Sequence, residues 1–255
     1  LLSLSFIYVL FLFGGIVQDV LMSDTITLVD VRVFNLLFIF RHPALIKIFT
    51  AVTLLGKSWL VIFFALIFSF FLRLRQKKEY IIPLWVSILG AGAFGYLSKV
   101  AFHRPRPELS LYIENSFSFP SGHALMAVAF YGFAAHFLWR NSDKRKTKIN
   151  SFFACLFIII IVGFSRLYLG VHYLSDVWAG YLLGLLWLII GISVLEWIIF
   201  KKKNIEVALL EMRPPTKKTK AVSFVLIIVA FLFYIFSAYF YKPEINIVER
   251  EAPAI

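Results

Sequence analysis

Residues 177–200 read VWAGYLLGLLWLIIGISVLEWIIF, and Lys201, Lys202 and Lys203 follow at once. A single charge, Glu196, interrupts these 24 residues. A helix needs about 20 mostly apolar residues to cross the hydrocarbon core of a bilayer. A lysine cluster at the end of such a run belongs on the cytoplasmic side. The stretch therefore predicts a transmembrane helix with a fixed direction.

The pattern recurs at residues 4–21, 58–72, 81–97, 124–139, 149–164 and 222–239, which makes seven crossings. The short alternating runs of a membrane barrel are missing. Over all 255 residues, 61% are hydrophobic and 16% charged, and the mean hydropathy is +0.86. Soluble domains carry about 25% charged residues, so soluble and disordered classes are both excluded. The lone cysteine, Cys155, excludes an internal disulfide, a four-Cys zinc site and a Cys-x-x-Cys redox pair. Residues 4–21 lack a basic flank and a cleavage-site pattern, so they read as a span rather than a signal peptide. The chain begins at Leu1 rather than Met, so further residues can precede it.

The predicted fold class is an all-α polytopic membrane helix bundle. A six-span core fills residues 1–200, a basic loop 201–220, and a seventh span with its tail 221–255. Charge sets the orientation. The loops after spans two, four and six hold Arg73, Arg75, Lys77 and Lys78, then Arg140 and Lys144 to Lys148, then the run from Lys201 to Lys220. They carry sixteen of the 26 basic residues but only five of the 14 acids. That side is cytoplasmic. The chain's pI near 9.8 thus follows from topology, and no nucleic-acid partner is expected. Residues 24–56 carry Asp24, Asp30, Arg32, Arg41 and Lys47 among apolar residues, too many charges for a crossing. They read as two amphipathic helices at the outer interface, the second opening at Pro43. Such helices either flank a lipid entrance or form a packed lid.

Gly90-Ala-Gly92-Ala-Phe-Gly95 fits a dinucleotide-binding pattern but lies inside a span, with no strand before it. Small residues there let helices pack closely. His42, His136 and Cys155 read as structural.

The informative residues collect at the outer ends of spans three to six. Lys99-Val-Ala-Phe-His-Arg104-Pro-Arg106-Pro107 ends span three, and its prolines stop the helix. Alone, such cations often only reach for the interface. Phe119-Pro120-Ser121-Gly122-His123 opens span four. Its free N–H groups suit an anion, although Ser121 also reads as an ordinary helix cap. Ser165-Arg166 closes span five, and His172 with Asp176 opens span six. At i and i+4 the carboxylate reaches one ring nitrogen and frees the other as base or nucleophile. A buried structural hydrogen bond is the alternative. Taken together, the residues put three cations, an N–H nest, two histidines and a carboxylate on one membrane face.

Lys-x6-Arg-Pro, Pro-Ser-Gly-His and Ser-Arg-x5-His-x3-Asp together resemble the three-part signature of the type 2 phosphatidic acid phosphatases, and among them the bacterial integral-membrane lipid phosphatases. The resemblance spans residues 1–200; residues 222–255 fall beyond it. It implies phosphoryl transfer without metal or cofactor, on the extracytoplasmic side of a bacterial inner membrane. Lys99, Arg106, Ser121, Gly122 and Arg166 would bind phosphate. His172 would attack phosphorus while Asp176 holds its ring, and His123 would protonate the leaving oxygen and then activate water. The expected partner is a lipid phosphate or diphosphate, with undecaprenyl diphosphate first and phosphatidylglycerophosphate, phosphatidic acid or lipid A phosphates as alternatives. A lipid-to-lipid phosphotransferase using the same site is a further alternative. Selectivity and oligomeric state depend on surfaces that motif spacing does not encode. Arg104, His103 and Tyr168 lie beside the signature, their roles open.

Overall fold

A computed structural model describes residues 1–22, 25–206, 217–241 and 243. The expected Asp24, the centre of the basic loop (207–216) and the tail from 244 lie outside the described residues. The secondary structure of the described residues is all helical, with no strand among them. The helices are α1 (Leu2–Met22), α2 (Thr25–Ile39), α3 (Pro43–Thr53), α4 (Ser58–Leu74), α5 (Ile81–Phe102), α6 (Gly122–Ala127), α7 (Phe133–Asn141), α8 (Arg145–Tyr168), α9 (Leu174–Glu206) and α10 (Lys217–Phe240). A π-helical turn, Val128–Gly132, joins α6 and α7 into one rod.

Six of the described helices or rods are long and apolar enough to cross a membrane. The remaining expected crossing, residues 58–72, falls in α4. It follows Pro43–Gly56 at a 53° bend, and only the two together are long and apolar enough for a seventh crossing. Residues 25–39 and 43–56 are helical as expected. α3 packs against α8 and α2 against α8 and α9. Asp30 of α2 is only 1% exposed, since its carboxylate is bonded inside the bundle.

α9 is the central helix and touches α1, α5 and α6. Glycine makes the crossings close. A Cβ on Gly180 would lie 2.5 Å from the Ser121 carbonyl oxygen, and one on Gly184 would lie 2.8 Å from that of Leu125. These contacts seat the start of α6 directly on the first turns of α9. Gly90, from the nucleotide-like motif, accommodates the Trp187 ring of α9, a packing role as expected. α10 lies against α4, with Phe233 stacked near Phe63 and the Tyr234 hydroxyl donating to the Ala51 carbonyl.

Candidate active site

Four chain segments meet at one end of the bundle. They are the end of α5, the start of α6, the end of α8 and the start of α9, all opposite the basic loops. α5 stops at His103, which takes a left-handed conformation (φ 48°) and caps the helix by donating its N–H to the Lys99 carbonyl. The chain then runs extended through Pro105 and Pro107. His103 packs its ring on Phe117, so its role is structural. So is that of Tyr168, whose hydroxyl donates to the Phe40 carbonyl and accepts from the His42 N–H.

Of the expected cations, Arg166 is fully buried. Its Nη1 donates to Thr53 Oγ1 (2.8 Å) and the Tyr112 hydroxyl (2.5 Å), and its Nη2 pairs with Glu114. Arg106 pairs with the other oxygen of Glu114 at 2.7 Å, donates to the Val171 carbonyl at 2.6 Å, and comes within 3.2 Å of His172 Nε2. Lys99 reaches round to the Phe117 carbonyl. Arg106 and Arg166 therefore converge on one anion, the Glu114 carboxylate. Burial works against that carboxyl's charge, but Arg166, His123 and Arg106 outweigh it and bring its pKa down from 4.5 to about 2.

His172 lies two residues before α9 rather than inside it, and is 2% exposed. Its Nδ1 is 3.4 Å from Asp176 Oδ2, so the i, i+4 pairing forms. An arginine N–H can only donate. The Arg106 contact therefore leaves the lone pair on Nε2 and the proton on Nδ1, facing Asp176. Burial, followed by the charges of Arg106, Arg166 and Lys99, holds the His172 pKa well below 6.5, so the ring is neutral at pH 7.

Asp176 is fixed from three directions. Its Oδ2 accepts the Tyr173 N–H at 2.9 Å, its Oδ1 accepts from Arg104 at 2.6 Å, and its carbonyl accepts the Ser121 N–H at 2.9 Å. Arg104 also donates to Ser175 Oγ and to Asp30 Oδ2. Asp30 accepts the Ser175 N–H at the start of α9. Arg104 is thus part of the site, as the clamp on Asp176. Burial alone would lower its pKa, but Asp176 and Asp30 outweigh this and raise it.

Ser121 sits at the cap position of α6, yet its hydroxyl makes no capping bond. Among the described residues Ser121 Oγ, His123 Nε2 and Arg166 Nε are buried without a hydrogen-bond partner. Such atoms cost about 1–3 kcal/mol each when unpaired, so three of them in one site mark a place prepared for a polar ligand. A Cβ on Gly122 would meet nothing within 4 Å, so open space faces this turn. Two clefts meet at Glu114, Asn115 and Ser116. One, of about 480 Å³, includes Lys99, Arg104 and Arg106. The other, of about 620 Å³, includes Lys57, Tyr112, His123 and Tyr241.

The structure brings all eight expected site residues to this end of the bundle and adds Glu114 and Asp30, to which sequence reasoning gave no role. Glu114 and Glu108 both lie between the Arg106 and Ser121 motifs, and spacing alone does not choose between them; the ion pairs of the half-buried Glu114 do. Asp30 stood out only as a charge among apolar residues.

A helical membrane bundle with cations gathered around a buried neutral imidazole is built to hold a phosphorylated lipid: this is an integral-membrane lipid phosphate phosphatase. The PAP2 superfamily pattern matches residues 80–200, and the chain belongs to that superfamily. It is 32% identical over 185 residues to phosphatidylglycerophosphatase B of Bacillus subtilis (strain 168), an alignment covering 69% of this chain and 88% of that protein. It superposes on the crystal structure of a transmembrane PAP2 type phosphatidylglycerolphosphate phosphatase from Bacillus subtilis with a TM-score of 0.63 and 28% identity, covering 78% of this chain and 94% of that one. The crystal structure of Aquifex aeolicus LpxE matches with a TM-score of 0.51 and 31% identity, covering 66% and 95%.

Proposed function

We propose that the chain removes the terminal phosphate of phosphatidylglycerophosphate on the extracytoplasmic face, through a phosphohistidine on His172. The observation that carries this is the convergence of Arg106 and Arg166 on one carboxylate beside His172 Nε2. Glu114 holds the position of the phosphate, and the substrate takes its place. The names of the Bacillus relatives favour phosphatidylglycerophosphate over undecaprenyl diphosphate, the first choice from sequence. The excess of basic residues in the opposite loops supports an extracytoplasmic site.

In this mechanism Lys99, Arg106 and Arg166 bind the phosphate oxygens, and the Ser121 hydroxyl and Gly122 N–H complete the cradle. Fixed donors stabilise a transition state whose charge is spread over the equatorial oxygens. The neutral Nε2 of His172 forms the N–P bond as the P–O bond to lipid breaks. Asp176 accepts the Nδ1 proton's hydrogen bond and stabilises the ring as it becomes cationic. His123 gives its proton to the leaving oxygen. It then takes one from water, whose oxygen attacks phosphorus, breaks the N–P bond and frees phosphate. The charge of bound phosphate favours the protonated His123 that the first step needs.

The test is phosphate release by the purified full chain in detergent with EDTA, on phosphatidylglycerophosphate, phosphatidic acid and undecaprenyl diphosphate. Phosphatidylglycerophosphate is expected to be the best substrate, and H172A to lose at least a thousandfold in kcat. Strict dependence on a divalent metal, or full activity in H172A, overturns the mechanism. A preference for undecaprenyl diphosphate overturns the substrate.

A further inference from the structure

The imidazole that protonates the leaving oxygen also tells where the leaving group goes. His123 lines the larger cleft, whereas Arg106 and Lys99 line the other. On the mechanism above, the alcohol part of the lipid therefore departs into the cleft shared by His123, Lys57 and Tyr241.

Lys57 is held there by backbone and ring alike. A Cβ on its neighbour Gly56 would lie 2.7 Å from the His123 carbonyl oxygen and 3.1 Å from His123 Cβ, so this stretch is pressed against the histidine. The Lys57 ammonium rests over the face of Tyr241, 3.9 Å from the ring centroid. A cation–π contact holds an ammonium in place without neutralising it. Among the described residues no carboxylate lies within 4 Å of it. Lys57 lines one cleft with Glu114 and His123, which puts its charge near the proposed phosphate position. Tyr241 lines the same cleft as Tyr112, the partner of Arg166. Tyr241 follows α10, and both it and Lys57 lie outside residues 80–200, the segment that matches the family pattern.

We propose that Lys57, held on the ring of Tyr241, forms a subsite for a second anionic group carried by the leaving group of the lipid substrate. In phosphatidylglycerophosphate that group is the phosphodiester, and in a polyprenyl diphosphate it is the inner phosphate. Phosphatidic acid has none, since its leaving group is an uncharged diacylglycerol. The C-terminal span thereby joins the site and separates lipids with a second anion from simple monoesters. This rests on His123 as the donor to the leaving group.

The test compares kcat/KM for phosphatidylglycerophosphate and phosphatidic acid of matched acyl chains, using the full chain and its K57Q, K57R and Y241A variants. K57Q is expected to lose more than tenfold on phosphatidylglycerophosphate, chiefly in KM, and less than threefold on phosphatidic acid. K57R restores most of the difference. Y241A shows a smaller loss in the same ratio and keeps the test open if K57Q fails to fold. Equal losses on both lipids, or none, overturn the subsite. An enzyme that cleaves phosphatidic acid and polyprenyl diphosphate but not phosphatidylglycerophosphate refutes the substrate proposed above. The K57Q ratio on polyprenyl diphosphate against polyprenyl monophosphate then decides the subsite separately. A wild-type chain that cleaves none of these lipids overturns both.

Discussion

Replacing Glu114 with Gln is the sharpest probe of the anion position. The carboxylate makes one bond to Arg106 at 2.7 Å and another to the fully buried Arg166. Hydrogen bonds to charged groups contribute about 1.5–3 kcal/mol each. The same contacts lower its pKa from 4.5 to about 2, and since each factor of ten in acidity is about 1.4 kcal/mol, that is roughly 3 kcal/mol in favour of the charge at this place. On the proposed binding mode, incoming phosphate breaks both bonds. The expelled carboxylate regains part of that energy, because it lies at the junction of two clefts and is 22% exposed before it moves. About half the cost, or ~1.5 kcal/mol, then opposes phosphate binding. E114Q keeps the size and removes the competing charge. Its inhibition constant for inorganic phosphate is expected to fall about tenfold, and KM for the lipid to fall with it.

Stability should move the other way. E114Q leaves the Arg166 guanidinium buried without an anion, which is strongly destabilising. The variant is expected to melt at a lower temperature than wild type in phosphate-free buffer and to recover most of the difference in millimolar phosphate. Inhibition by phosphate measured at pH 7, with thermal melts of the same samples, decides the matter. An unchanged or weaker phosphate affinity refutes the idea that Glu114 stands in the substrate's place. A collapse of kcat with unchanged affinity would instead make Glu114 a participant in the chemistry.

A second prediction concerns pH and rests on the proposal that neutral His172 is the nucleophile, its pKa held well below 6.5 by burial and the cations Arg106, Arg166 and Lys99. Activity from this group is lost only as pH falls through that lowered value, and K99Q, which removes one of the cations, moves the acid limb of kcat/KM to higher pH; an unmoved limb counts against the assignment. A third concerns the clamp on Asp176: D30N weakens the Arg104 bridge at 2.8 Å and the bond to the Ser175 N–H, so kcat is expected to fall about tenfold or more with KM nearly constant, and loss confined to KM would show that Asp30 acts on substrate instead. A fourth concerns packing: G180V places a side chain where even a Cβ would be 2.5 Å from the Ser121 carbonyl oxygen, and is expected to cost about 1–3 kcal/mol or more of stability, read from thermal melts, and to reduce activity in what remains folded.

The helices and the pocket were legible in the sequence to different degrees, for a physical reason. A lipid-facing helix must be apolar along its whole length, so runs such as residues 177–200 declare themselves locally. The three motifs were legible because each carries its chemistry within a few consecutive residues. What the sequence concealed depends on partners far apart in the chain. Asp30 meets Ser175 across 145 positions and Glu114 meets Arg166 across 52. Neither distance has any signature in spacing. The break at residues 54–57 was hidden for a related reason. The helix α3 is short and charged enough to read as interfacial, and no spacing shows that Thr53 bonds Arg166 or that Gly56 packs on His123. The same few residues thus turn the chain by 53° and brace both halves of the catalytic machinery. Each acidic residue missed by sequence holds an arginine, and each of those arginines touches either the proposed phosphate position or the carboxylate paired with His172. In a bilayer an unpaired buried cation is costly, so an enzyme that keeps this many cations for its substrate must also keep carboxylates to hold them while the substrate is away.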